Sequence, residues 1–162
     1  EYLYEALAAA NAWLQNRPGK IKEEEIDTWR SRIVEVMDDD INSAAALGIL
    51  ATAARALNDA LAIKGKAPEK SDQIATMAAV VKEIGNILGL SQRDPSETLA
   101  EIQARKLARS GLDPARIEAK LEERAQARQA KDFAKSDAIR DELLAMGVSI
   151  MDGPDGTRWK VV

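Results

Sequence analysis

Apolar residues recur every three or four positions through most of this sequence, and many of the small ones are alanine. That period is the one a helix with a single buried face requires. It is carried by Leu3, Leu7, Ala10 and Leu14 across residues 1–15, then by Ile26, Trp29, Ile33, Val36 and Met37 across residues 21–37. Leu47, Leu50, Ala54, Leu57 and Leu61 mark one side of a helix over 43–63. Ile74, Met77, Val81, Ile84 and Leu88 mark a fourth, which Ser71 or Asp72 is placed to cap. The chain is 46% hydrophobic but only 4% aromatic. Thin, alanine-rich surfaces favour helices packed closely on helices over a sandwich or barrel.

The breaks between these stretches have turn and cap chemistry. Arg17-Pro18-Gly19 ends the first helix, and residues 64–72 form a polar linker. Asp38-Asp39-Asp40-Ile41-Asn42-Ser43 reads as a loop that caps the next helix. A calcium loop would need alternating ligands and a turn glycine, which this run lacks. Gly89 to Pro95 is the best candidate for a subdomain boundary. A helix starts at Ser96 and stops at Ser110-Gly111, and Asp113-Pro114 opens another, expected to reach about residue 131. Asp132 caps one more, through Met146, which Gly147 terminates. The period then changes to two. Val148–Asp152 and Thr157–Val161 flank Gly153-Pro154-Asp155-Gly156, the pattern of a β-hairpin. The expected fold is mainly α: an antiparallel helical bundle over 1–90, a connecting helix over 91–112, and a small helical subdomain over 113–162 ending in a hairpin.

There is no cysteine and no histidine. Disulfides, thiolate nucleophiles, the usual zinc sites and triad catalysis are therefore excluded for this segment. No glycine-rich phosphate loop and no carboxylate pair in a recognisable cleft is legible, so the segment itself is not expected to be catalytic. No apolar run reaches membrane-spanning length, and no signal-peptide pattern opens the chain. The first residue, Glu1, suggests a fragment. Net charge is −4, but from Arg105 to Arg140 ten Lys/Arg face six Asp/Glu, a local excess of four that leaves −8 elsewhere.

Within that basic stretch lie three constellations. Arg116, Lys120, Arg124 and Arg128 follow strict four-residue steps, a ridge able to track phosphates. Lys131 and Arg140 extend the same basic surface. The competing reading is a solvated face paired with Glu118, Glu122 and Glu123. Phe133, Asp137, Arg140 and Leu144 share one helix face, apart from Ile139, Leu143 and Met146. An aromatic that stacks beside an acceptor that reads base edges is a single-stranded RNA device. Alternatively, Phe133 packs as a staple at the helix start. Asp152, Arg158 and Trp159 belong to the hairpin. There Trp159 reads as core, and Arg158 as a partner for Asp152.

Two runs carry a resemblance. One is Ala127-Arg128-x-x-Lys131-Asp132-Phe133-Ala134-x-x-Asp137-x-Ile139-Arg140-Asp141-Glu142-Leu143-x-x-x-Gly147-Val148, followed by Asp152-Gly153-Pro154-x-Gly156-Thr157-Arg158-Trp159. The other is Val36-Met37-Asp38-Asp39-Asp40-Ile41-Asn42 with Ala46-Leu47. The first resembles the C-terminal end of cysteinyl-tRNA synthetases. The second resembles the start of the third helix of that family's DALR-type bundle.

The resemblance implies a helical bundle that contacts tRNA(Cys) and a small domain that reads its GCA anticodon. Matching positions for base recognition are Arg128, Phe133, Asp137 and Asp152. Phosphate contacts would fall to Arg116, Lys120, Arg124, Lys131 and Arg140. The family's nucleotide-binding signatures and zinc ligands are not in this sequence. ATP and zinc are thus expected in a catalytic domain of the same parent chain, and no cofactor is expected here. The implied setting is a cytoplasmic, monomeric ligase without membrane attachment. The rival is a stand-alone helical interaction module with no RNA role. It expects Phe133 to be buried and the Arg116–Arg128 ridge to be neutralised by neighbouring acids.

Overall fold

The structure, a computed structural model, describes residues 1–153 and 156–162, so the centre of the expected Gly153–Gly156 turn lies outside the described residues. Two compact units divide the chain, Glu1–Leu99 and Ala100–Val162.

The first unit contains α1 (Tyr2–Gln15), α2 (Glu23–Asp38), α3 (Ser43–Ala62) and α4 (Pro68–Ile87). α4 is the central helix and packs on each of the other three. Its Ile74, Val80, Val81 and Ile84 lie in the core with Leu7 of α1, Ile33 of α2 and Leu50 and Leu57 of α3. Ala46, Ala53, Ala54 and Ala60 of α3 are fully enclosed, and their small side chains let backbones approach closely. Leu47 departs from expectation. It is 49% exposed, because α3 turns Ala46 and Leu50 inward and leaves Leu47 beyond the edge of the buried stripe.

The caps show where local chemistry decided the fold. The Asn42 side chain accepts the Ala45 N–H at 3.0 Å and starts α3, as the acidic run suggests. The expected cap at Ser71 or Asp72 is not used. α4 begins at Pro68, whose missing N–H and fixed φ suit the first helical turn. Ser71 instead accepts from Trp13 Nε1 at 3.2 Å, and Asp72 Oδ1 accepts from the Lys20 N–H at 2.6 Å. Lys70, also buried, donates Nζ to the carbonyls of Leu61 and Ile63 and lies 3.8 Å from the centre of the Trp13 ring. One turn of α4 thereby satisfies the end of α3 and fixes α1.

α5 (Pro95–Ser110) starts where Asp94 Oδ1 accepts the N–H groups of Ser96 and Glu97. The division between the units falls within this helix. The second unit continues with α6 (Pro114–Gln129), α7 (Phe133–Ala145), β1 (Val148–Gly153) and β2 (Gly156–Val161). Asp113 and Asp132 cap α6 and α7 with their side chains. Gly111 and Gly147 end the preceding helices at φ +67° and +82°, conformations that favour glycine. α6 stops two residues short of expectation because Lys131, at φ 59°, turns the chain into α7.

β1 and β2 pair antiparallel with Val148 opposite Val161, Ile150 opposite Trp159 and Asp152 opposite Thr157. A two-stranded ribbon needs support, and α7 supplies it. Ile117, Ile139, Leu143 and Val148 form the small core, flanked by Leu107, Leu112, Leu121, Ile150 and Trp159. On the other side of the ribbon, Gln103 Oε1 accepts the Val161 N–H at 3.1 Å. The expected architecture, helices followed by a hairpin, is therefore the observed one.

Candidate nucleic-acid interface

Four-residue spacing gives α6 one basic face, but the helix does not treat its members alike. Arg116 is exposed. Lys120 is drawn down to Glu142 of α7, with Nζ 2.7 Å from Oε2, and has Glu123 at 3.9 Å. Lys135 reaches Glu123 from α7 at 3.0 Å, and together these ammonium groups hold the Glu123 carboxyl below its ordinary range, Lys135 foremost. Arg124 is only 4% exposed. Arg128, one turn further, is about half exposed.

Arg124 and Arg128 converge on Asp152 of β1. Asp152 Oδ1 accepts from Arg124 Nη1 at 2.9 Å and from Thr157 Oγ1 at 2.8 Å. Oδ2 accepts from Arg124 Nη2 at 2.8 Å and from Arg128 Nη1 at 3.2 Å. A carboxylate offers about four lone-pair positions, and here four donors occupy them. The Arg124 bond, then the Thr157 bond, hold the Asp152 carboxyl well below the usual carboxylate range, and the charges of Arg124 and Arg128 add to this. Reciprocally, Asp152 raises the Arg124 guanidinium, and Asp137 of α7 adds a through-space contribution. The Nε of Arg124 is buried without a hydrogen-bond partner.

This arrangement changes two expectations. The basic ridge is not continuous, since Arg124 is spent on Asp152 and Lys120 on Glu142. The expected Arg158 partner for Asp152 gives way to the α6 arginines. The register sets Thr157 opposite Asp152 and Arg158 opposite Met151, so Arg158 projects from the other face of the ribbon.

Phe133 opens α7 and is 62% exposed, not stapled into the core. Asp137, Arg140 and Leu144 are exposed along the same helix, and Lys131 is exposed just before it. Trp159 is partly buried against the small core, and its Nε1 donates to Glu118 Oε1 of α6 at 2.8 Å, tying β2 to the helix. The structure thus brings Arg124, Arg128, Asp152 and Thr157 together, with Asp137 near enough to act on Arg124. It leaves Arg116 outside that cluster. Thr157 and Glu142 were not singled out by sequence reasoning, and Glu118 only as an acid beside the basic ridge, not as the partner of Trp159. Of these only Thr157 had a signal: the hairpin register places it across from Asp152.

Residues 32–92 match the DALR domain, and residues 109–159 match the Cysteinyl-tRNA ligase anticodon binding domain. The cysteine–tRNA ligase of Anaeromyxobacter sp. is 55% identical over 126 residues, 77% of this chain and 26% of that protein. The Syntrophotalea carbinolica ligase is 40% identical over 160 residues, 97% of this chain and 33% of that protein. The chain belongs to the cysteinyl-tRNA ligase family. A third family member, from Nitratidesulfovibrio vulgaris, is 38% identical and aligns with 99% of this chain but 35% of its own length. The chain thus spans about a quarter to a third of the length of these curated relatives. Arg128, Phe133, Asp137 and Asp152 all lie within the segment matching the family's anticodon binding domain. Among the described residues no cluster of acidic side chains could hold a metal, and no helix is long and apolar enough to cross a membrane.

Proposed function

We propose that this chain binds tRNA(Cys) and reads its anticodon on behalf of a cysteine–tRNA ligase. The observation that carries the reading is the exposed Phe133 at the start of α7, with exposed Asp137 one turn along and Arg128 nearby at the end of α6. Phe133 is free to stack on an unpaired base, a contact worth about 1–3 kcal/mol. Asp137 offers acceptors to a base amino or imino group, and Arg128 keeps donors beyond the one given to Asp152. Asp152 has every lone pair engaged, so a base reaches it by displacing a donor. Arg128, the longest of the four contacts, is the one to yield.

Phosphate contacts fall to the exposed Arg116, Lys131 and Arg140. Lys120 and Arg124, already paired, are less available. In this reading the ATP and zinc of cysteine activation belong to the catalytic domain of a ligase of the relatives' full length, and the setting is a cytoplasmic monomer. The stand-alone interaction module expects a neutralised ridge and a buried Phe133; the ridge is largely neutralised, by Glu142 and Asp152, but the exposure of Phe133 weighs against that reading.

A gel-shift titration of the chain with tRNA(Cys) and an anticodon-swapped tRNA tests the proposal. Affinity should be higher for tRNA(Cys), should fall as salt rises, and should drop for Asp137→Ala and Asp152→Ala. Equal affinity for both tRNAs, or a flat salt response, overturns the assignment.

A further inference from the structure

We propose that Arg124 is a positioning residue for anticodon reading. It clamps the Asp152 carboxylate from below and so sets where Asp152 and the exposed Arg128 meet the RNA. The inference rests on the reading given under Proposed function and adds a residue that touches no nucleotide.

Four observations carry it. Arg124 is the only buried arginine or lysine among the described residues of this unit, and it is bidentate to one carboxylate. Such a fork fixes both the position and the plane of the carboxylate, which a single ammonium would not do. Asp152 in turn gives Oδ2 to Arg128, whose guanidinium is otherwise at the surface and costly to immobilise. Finally, Thr157 Oγ1 holds the other oxygen, so the carboxylate is fixed from the helix side and from the strand side. Clamped in this way, Asp152 keeps Arg128 in one geometry until RNA arrives. When a base donor takes the Arg128 position on Oδ2, Arg124 and Thr157 still hold the carboxylate. Arg124 would then act on specificity, through Asp152, rather than on the general attraction for phosphate.

That separation is measurable. The chain and its Arg124→Lys, Arg124→Met, Thr157→Val and Arg116→Gln variants are titrated with an RNA stem-loop carrying the GCA anticodon and with one carrying a swapped anticodon. The titrations run over a series of potassium chloride concentrations. Arg124→Lys and Arg124→Met should lower affinity for the GCA loop about tenfold, the scale of a lost charge-assisted bond. They should shrink the ratio between the two loops and leave the slope of log K against log salt unchanged. Arg116→Gln, at an exposed position outside the cluster, should reduce that slope by about 0.7, as expected for a lost phosphate contact to a single strand. In Arg124→Lys the carbon-13 signal of the Asp152 carboxyl should titrate closer to an ordinary carboxylate.

Thr157→Val removes one strand-side bond and keeps the arginine. It should lower the ratio with circular dichroism unchanged, which covers the case in which Arg124→Met does not fold. The inference is overturned if Arg124→Met reduces the salt slope like Arg116→Gln, since Arg124 would then be a phosphate contact. It is also overturned if folded Arg124→Lys and Thr157→Val discriminate the loops as well as the parent does. If the parent itself does not distinguish the loops, the anticodon reading falls and this inference with it. If the parent does and the variants do too, this inference alone falls.

Discussion

The two units of this protein solve the same problem with different materials. Glu1–Leu99 closes around a broad apolar core in which alanines let four helices approach, and its buried polar groups serve the fold. Lys70 closes the end of α3, and Ser71 takes the Trp13 N–H. Ala100–Val162 has a far smaller core, and it keeps a hairpin in place with charged contacts that reach the surface. In the first unit, none of the fastening groups is among the residues proposed to meet RNA. In the second, the groups that fasten β1 to α6 are the groups proposed to face the anticodon, so stability and recognition share residues.

Core truncation should test that contrast most severely. Leu57 in the first unit and Leu143 in the second are both fully buried. Changing either to alanine should cost about 2–5 kcal/mol, read by urea denaturation. The consequences should then diverge. Leu143→Ala weakens the small core beneath the hairpin and should abolish discrimination between anticodon loops. Leu57→Ala should leave discrimination intact at temperatures where both variants remain folded. Equal loss in the two variants would break the comparison.

Acid should separate the units next. The Asp152 carboxyl is held below its usual range in the folded chain by Arg124 and Thr157. Its contribution to stability is therefore present above the unfolded carboxylate value, about 3.9, and is lost as pH falls below it. With the carboxylate about half exposed, the loss should be roughly 1–3 kcal/mol, toward the lower end because of solvent screening. Following Trp159 fluorescence in a Trp13→Phe, Trp29→Phe background isolates the second unit. Asp152→Asn should remove this part of the pH dependence. An acid transition unchanged by that substitution would show that the clamp does not stabilise the hairpin.

How much of this was readable beforehand follows the range of the interactions. Helices, caps and stops were legible because they depend on neighbours: Asn42 caps α3, Asp113 and Asp132 cap α6 and α7, and Gly147 ends α7. Ser71 and Asp72 misled because they look like caps locally, yet their partners, Trp13 and Lys20, lie more than fifty residues back. Arg124 is the same lesson at the site. Four-residue spacing set it among exposed cations, but spacing fixes a direction around a helix and not a depth. Its depth is set by Asp152, twenty-eight residues on, once the hairpin folds back on α6. Phe133 was left open between staple and stacking platform, because both put an aromatic at a helix start. Only tertiary packing, which leaves it exposed, rules out the staple.

The smallest expected effect concerns the other tie between hairpin and α6. Trp159 Nε1 donates to Glu118 Oε1 at a solvent-exposed position. Glu118→Ala should cost only about 0.5–1 kcal/mol, because water can replace the lost acceptor while the Trp159 ring stays against the small core. Removing this carboxylate also makes α6 more positive, so affinity for both anticodon loops should rise slightly together. Their ratio should not move, because Glu118 does not touch the Asp152 cluster in the way Arg124 does. A ratio that fell with Glu118→Ala would mean that recognition depends on the whole seating of β2. The distinction between a clamp that specifies and a tie that merely holds would then collapse.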